Sequence, residues 1–286
     1  MSISGSTRVF LILGDPVVQV RAPQTFNHLF RRHGVDAVMV PAEVPAGQSA
    51  GFVRSVLQAR NIDGLALTIP HKSDVLPVLD RCDRLGRVAG AVNAVRRAAD
   101  GAIEGALFDG IGFVRALDHL KLTPRGRRVL LVGAGGAGLA IAASLAERGV
   151  AQLRVVDVAA ARAAEAAARV RAVFDIDVES GTDSDPAGFD LVINATPLGL
   201  RPTDPLPFDV ARLDAASAVV DILMKPEPTS LLKACRARGI TAHPGDEMLL
   251  QQMPDYLSFF GFDTIAQAVR DDADELRALM QSTRAS

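Results

Sequence analysis

Short runs of β-branched and aliphatic residues alternate with helix-periodic stretches along almost the whole chain, and no other feature narrows the fold so far. Arg8–Leu13, Ala37–Val40 and Gly64–Ile69 read as buried strands, the first closed by Gly14-Asp15-Pro16 and the third by Pro70. Between them, Pro23–His33 sets Phe26, Leu29 and Phe30 at i, i+3, i+4, and Gly47–Arg60 and Ser73–Leu85 read as further helices. Ala91–Arg96 and Ala102–Glu104 read as two strands around a turn at Asp100-Gly101. A helix over Asp109–Leu120 leads into the polar stretch Lys121–Arg127, after which the pattern restarts. Strand Arg128–Val132, helix Gly138–Arg148, strand Leu153–Asp157, an Ala-rich helix Ala159–Phe174 and strands Leu191–Asn194 and Ala218–Ile222 follow. Gly245–Ser286 is helical by periodicity and contains no strand. Such β-α-β order implies an α/β protein with mostly parallel sheets covered by helices.

Composition removes several classes of function. Thirty-one basic residues against 33 acidic ones leave no net field for nucleic acid or an anionic membrane. Cys82 and Cys235 are too few for a disulfide framework, and neither they nor the five histidines show metal-ligand spacing. No apolar run approaches the roughly 18 residues of a membrane span, and the first seven residues lack a signal-peptide layout. The expectation is a reduced, cytoplasmic protein with no metal, acting as a monomer or homodimer on a small molecule.

The most specific local signal is Val129-Leu-Leu-Val-Gly133-Ala134-Gly135-Gly136-Ala137-Gly138, a strand, a glycine-rich turn and a helix start. The first glycine permits the tight turn, the second lets backbone approach a pyrophosphate, and the third lets helix pack on strand. The helix N-terminus then offers free N–H groups to the phosphates. A second strand ends in Asp157, 24 positions after Gly133, where a carboxylate accepts hydrogen bonds from ribose hydroxyls and repels a 2′-phosphate. Val158-Ala159-Ala160-Ala161 supplies no Arg to grip a phosphate. Arg162, the nearest cation, either stacks on adenine or pairs with Glu165 on the helix surface. The expected cofactor is NAD.

Several spaced motifs then coincide: Gly14-Asp-Pro16, Thr68-Ile-Pro-His-Lys72, Gly90-Ala-Val-Asn93, Asp109-Gly110, the Gly133 turn, Asn194-Ala195-Thr196 and Met248-Leu-Leu-Gln-Gln252. In this order and spacing the chain resembles the shikimate/quinate dehydrogenases over essentially its whole length. The resemblance implies two domains: a mostly parallel α/β substrate domain, 1–108 plus 245–286, and a Rossmann-like NAD-binding domain, 109–244, with the active site in the cleft between them. It implies Lys72 and Asp109 as the catalytic pair, because oxidising a secondary alcohol needs a base for the hydroxyl proton and the reverse reaction an acid at the carbonyl oxygen. It implies Asn93, Gln252 and Thr68 as substrate contacts. For Asn93 a backbone partner is the alternative, since a buried amide needs one of some kind. Asn194-Ala195-Thr196, Met224 and Gly245 are implied on the cofactor side, with simple strand termination the alternative for the first three.

The departures from the family gather at the substrate. Where it usually carries two serines before a proline, to bind the substrate carboxylate, this chain reads Val20-Arg21-Ala22-Pro23. Ala66 replaces an Asn, Leu107-Phe108 replaces Asn-Thr before the catalytic Asp, and Met224 replaces a pocket Tyr. Every change runs from hydroxyl or amide towards an apolar side chain. Arg21 is either a replacement carboxylate ligand or a solvent-facing residue. The expectation is a dehydrogenase of a cyclic hydroxy acid or related alcohol with weak or no activity on shikimate itself. A non-catalytic NAD-binding sensor is the competing reading, and retention of Lys72 and Asp109 weighs against it. The single tyrosine, Tyr256, would share a helix face with Gln252 if Pro254 leaves the helix straight; it is either core or a substitute pocket hydroxyl.

Overall fold

The structure is a computed structural model that describes residues 3–18, 20–225 and 227–282. The chain divides into two compact units, Met1–Phe108 with Met253–Ser286, and Asp109–Gln252. The first opens with β1 (Arg8–Gly14), α1 (Ala22–Arg32), β2 (Ala37–Glu43), α2 (Ser49–Val56) and β3 (Ile62–Leu67), then β4 (Arg81–Cys82), α3 (Arg84–Ala89), β5 (Ala94–Arg97) and β6 (Ile103–Ala106). Its six-stranded sheet runs β2-β1-β3-β5-β6-β4. β1 is parallel to β2 and β3, β4 is parallel to β6, and β5 runs against β3 and β6.

The second unit begins with α4 (Asp109–His119), then β7 (Arg128–Val132), α5 (Gly136–Glu147), β8 (Gln152–Val156), α6 (Ala160–Arg171), β9 (Asp177–Gly181), β10 (Leu191–Asn194), β11 (Ala218–Asp221), α7 (Ser230–Ala237), β12 (Thr241–Pro244) and α8 (Asp246–Gln251). All six strands are parallel in the order β12-β11-β10-β7-β8-β9. The chain returns to the first unit with α9 (Met253–Phe259), α10 (Asp263–Asp271) and α11 (Asp274–Ser282). No helix among the described residues is long and apolar enough to cross a membrane.

In α1 and α6 sequence and packing agree. α1 starts with Pro23 in its first turn, buries Thr25, Phe26, Leu29 and Phe30, and carries Arg31 and Arg32 in its last turn, where cations suit the helix dipole. α6 buries Ala163, Ala166, Ala167 and Val170 on one stripe. On its outer face Glu165 pairs with Arg169 at 2.6 Å, while Arg162 is exposed. In the first unit Phe10, Phe26, Phe30, Phe108, Tyr256, Phe259, Phe260 and Phe262 form a chain of ring contacts with centroids 5.0–6.2 Å apart.

Other elements differ from the sequence reading. Ser73–Leu85 is not one helix: a 3₁₀ turn at Leu76–Val78 and strand β4 precede α3, whose N-cap Asp83 accepts a hydrogen bond from the Gly86 N–H. β9 and β12 are short edge strands that apolar patterning misses. Gln252 and Tyr256 do not share one straight helix. The helix breaks at Gln252, and Pro254 lies in the first turn of α9, where its missing N–H is tolerated. The division between the two compact units falls between Gln252 and Met253, with α8 packed on α4 in the second unit.

Candidate active site

In the second unit, β7 lies between β10 and β8, so the chain builds outward from it in both directions. Ligands bind open parallel sheets at this kind of switch point, beyond the carboxyl ends of the strands. There Gly133 has φ +107°, a conformation that favours glycine. A Cβ on it would stand 2.7 Å from the Ala195 carbonyl oxygen and 2.9 Å from the Thr196 nitrogen. A Cβ on Gly138 would stand 1.9 Å from the Gly133 carbonyl oxygen, so the turn, the start of α5 and the end of β10 pack backbone to backbone. Gly135 caps α5 with no side-chain hydrogen bond, and among the described residues no atom beyond the local backbone lies within 4 Å of a Cβ built on Gly135 or Gly136. The loop around Ala134 and Ala137 thus combines an uncapped helix N-terminus with an open backbone face, a fit for a pyrophosphate.

Asp157 follows β8. Its Oδ2 accepts the Ala134 N–H at 2.9 Å and its Oδ1 the Ala159 N–H at 2.9 Å, which ties the glycine turn to the turn beyond β8. Val158 beside it is 97% exposed. Across the sheet, Asn194 and Asp221 are register partners at the ends of β10 and β11. Asp221 is fully buried; it accepts hydrogen bonds from Thr229 Oγ1 at 2.6 Å, Asn194 Nδ2 at 3.0 Å and the Leu223 N–H at 3.2 Å. Burial pushes its carboxyl above the ordinary carboxylate range, against the pull of those donors. Asn194 Oδ1 in turn accepts from the Thr196 hydroxyl at 2.7 Å and the Thr196 N–H at 3.1 Å. This network shapes the Asn194-Ala195-Thr196 turn. Asp221 went unassigned in the sequence, although two polar residues closing neighbouring apolar strands were the available signal. Met224 is 37% exposed beyond β11. Gly245 is accounted for by packing, since a Cβ there would stand 2.6 Å from Ile222 Cα.

In the first unit, backbone bonds stitch the expected substrate residues together. Thr68 N–H donates to Leu13 O at 2.9 Å, Val92 N–H to Lys72 O at 2.8 Å, and Leu67 N–H to Asn93 O at 2.8 Å. Thr68, Lys72 and Asn93 therefore occupy one corner of the sheet. Asn93 is 1% exposed, and its Oδ1 accepts the Phe108 N–H at 2.9 Å, which fixes the amide and holds the residue preceding Asp109 in the chain. Phe108 packs on Tyr256 with ring centroids 5.1 Å apart. The Tyr256 hydroxyl donates to Asn93 O at 3.0 Å, so the lone tyrosine is a core residue. Val20 and Ala22 are half-buried at the start of α1, and Arg21 Nη1 reaches Met280 O at 3.5 Å in α11. Gln252 is buried at the end of α8, in the second unit.

Comparison with known proteins decides the family. A shikimate dehydrogenase (NADP(+)) of Rubrobacter xylanophilus is 37% identical over 254 residues, which cover 87% of this chain and 89% of that protein. The chain belongs to the shikimate dehydrogenase family. Residues 12–95 match the family model for the shikimate dehydrogenase substrate binding domain. Among solved structures, the ligand-free 5-ketofructose reductase of Gluconobacter sp. strain CHM43 superposes with a TM-score of 0.82 at 28% identity, covering 94% of this chain and 99% of that one. Quinate dehydrogenase from Corynebacterium glutamicum, solved in complex with NAD, superposes with a TM-score of 0.81 at 27% identity, covering 91% and 98%. As a shikimate dehydrogenase family member, the chain is an NAD(P)-dependent oxidoreductase on a dinucleotide-binding α/β fold.

Proposed function

We propose that this protein is an NAD-preferring dehydrogenase that interconverts a cyclic secondary alcohol and its ketone, with weak or no activity on shikimate itself. The observation that carries the reading is the selective pattern of retention. As the motif resemblance implies, Thr68, Lys72, Asn93, Asp109 and Gln252 keep the family's reactive and hydroxyl-binding residue types, while Val20, Ala22, Ala66 and Met224 depart from its polar ones. In this reading the first unit binds substrate and the second holds NAD, in a cytoplasmic protein acting as a monomer or homodimer.

Bound nicotinamide supplies the hydride acceptor. Lys72 handles the proton of the reacting oxygen, as base in oxidation and acid in reduction, and Asp109 orients the ammonium and shares its proton. Asn93, held by its bond to the Phe108 N–H, presents a fixed amide to a ring hydroxyl. Gly133, Ala134, Gly135, Gly136 and Ala137 take the pyrophosphate, and Asp157 the adenosine ribose. Asn194, Ala195 and Thr196, with Met224, flank the nicotinamide half.

A carboxylate set against Val20 and Ala22 loses two charged hydrogen bonds worth about 1.5–3 kcal/mol each. The combined loss of about 3–6 kcal/mol corresponds to roughly two to four orders of magnitude in affinity. Arg21 Nη1 donates to the Met280 carbonyl at 3.5 Å. The test is a panel of shikimate, quinate and less hydroxylated or amino-substituted ring alcohols with NAD and NADP, read by the absorbance of reduced nicotinamide. Turnover of at least one ring alcohol with NAD is expected, with shikimate well behind it and improved by the double change Val20→Ser, Ala22→Ser. Shikimate oxidation on a par with the Rubrobacter relative would refute the altered-pocket reading. NAD binding without any turnover would favour the sensor.

A further inference from the structure

Asp109 opens α4, and the next three residues include two glycines, Gly110 and Gly112. Glycine is the poorest helix former after proline, so two of them in a first turn call for a packing reason. The structure supplies one on each side of the helix. A Cβ on Gly110 would stand 2.1 Å from the Ala140 carbonyl oxygen and 2.3 Å from Ser144 Oγ, both on α5. A Cβ on Gly112 would stand 2.5 Å from the Met248 carbonyl oxygen on α8, 2.8 Å from Gln252 Cβ and 3.1 Å from the Gln252 nitrogen. α4 is therefore in backbone contact both with the helix that begins at the glycine-rich turn and with the residue that ends α8. Among the described residues Ser144 Oγ is buried with no hydrogen-bond partner, so at this contact it acts as a spacer of fixed size and not as a polar anchor.

We propose that Gly110 and Gly112 are positioning residues for the reaction. Gly110 sets how deeply Asp109 seats against α5, and so against whatever the turn at the head of α5 holds. Gly112 sets Gln252 relative to Asp109. The proposal rests on the reading of Asp109 as a catalytic residue and goes beyond it by naming what places that residue. Packed helices do not absorb an added methyl group in place, so α4 must move, and a displacement on the order of 1 Å at a reacting group costs about 100-fold in rate.

The experiment compares Gly110→Ala, Ser144→Val, Gly112→Ala and Asp109→Asn with wild type. Four quantities are read: kcat and KM with the ring alcohol that wild type converts fastest, NADH affinity from its fluorescence, and the thermal midpoint. Gly110→Ala and Ser144→Val are expected to lower kcat by about 100-fold while NADH affinity stays within about threefold. Gly112→Ala is expected to raise KM by about tenfold with a smaller change in kcat. Ser144→Val enters the same contact from α5, so it carries the test if Gly110→Ala does not fold. Folded variants with kcat and KM within about twofold of wild type would overturn the proposal, as would a lower midpoint with NADH affinity and turnover lost in parallel. Asp109→Asn separates the two levels: full turnover in that variant refutes the catalytic reading, whereas its inactivity beside unaffected glycine variants refutes the positioning alone.

Discussion

Asp157 already accepts two backbone N–H groups, from Ala134 and Ala159, so its side chain shapes the glycine turn; in the proposed NAD-preferring reading it also carries the charge that discriminates against a 2′-phosphate. A variant that removes the charge should keep an acceptor. Asp157→Asn does so, and combined with Val158→Arg it places a guanidinium on an exposed site beside the ribose. The pair is expected to shift the kcat/KM ratio towards NADP by about 10–100-fold, the equivalent of one charge-assisted hydrogen bond. Measuring both cofactors on both proteins checks it, and an unchanged ratio would place cofactor choice elsewhere. Lys72→Ala is expected to cut turnover by about 10²–10⁴-fold, the range of general acid–base catalysis, with NADH binding retained. Ordinary turnover in that variant would refute the role of Lys72. At this scale the glycine turn was legible because Gly133 takes a φ of +107° and packs against the Ala195 backbone, which favours glycine there. Asp221 was not, because Asn194, 27 positions away, meets it only through the parallel register of β10 and β11, and Thr229, 8 positions on, meets it only where it caps α7.

Elements were legible where burial is one-sided or complete. The apolar strands β1, β3, β7, β10 and β11 and the amphipathic α1 stand out from their neighbours for that reason. The edge strand β9 buries only Val178 fully, so its pattern is that of a loop. Between Ser73 and Leu85 the apolar residues Val75, Leu76, Val78 and Leu79 mimic helical spacing, but the helix itself starts only where Asp83 can cap it. Caps also matter energetically. Thr229 caps α7 by accepting the Leu232 N–H and at the same time donates to the buried Asp221 carboxylate. Thr229→Ala loses the cap and leaves a buried oxygen short of a donor, a combined cost of about 2–4 kcal/mol. Denaturant unfolding should show that loss as a lower midpoint with an unchanged slope. A cost below about 0.5 kcal/mol would mean that the carboxylate finds another donor.

Over the whole molecule the net charge of −2 is small, so acid stability depends on particular pairs and not on a global field. Asp100 is held down to about 2 by its hydrogen bonds from Arg81, and Asp185 to about 2 by Arg212. Both carboxyls lie below their ordinary value in the folded state. Their stabilising contribution is therefore present above the unfolded carboxylate range and is lost as pH falls from about 4 towards 2. The double variant Arg81→Gln, Arg212→Gln is expected to flatten that limb of the stability curve, as measured by thermal midpoints across pH; an unchanged limb would show that the exposed pairs are screened. The division of the chain at Phe108 and Met253 has a further consequence, for the order in which the protein is made. Tyr256, Phe259, Phe260 and Phe262 supply half of the linked rings of the first unit, yet they leave the ribosome after the entire second unit. The nascent chain therefore holds an incomplete aromatic core while Asp109–Gln252 already has every residue of its own, and the unit begun first is the one finished last.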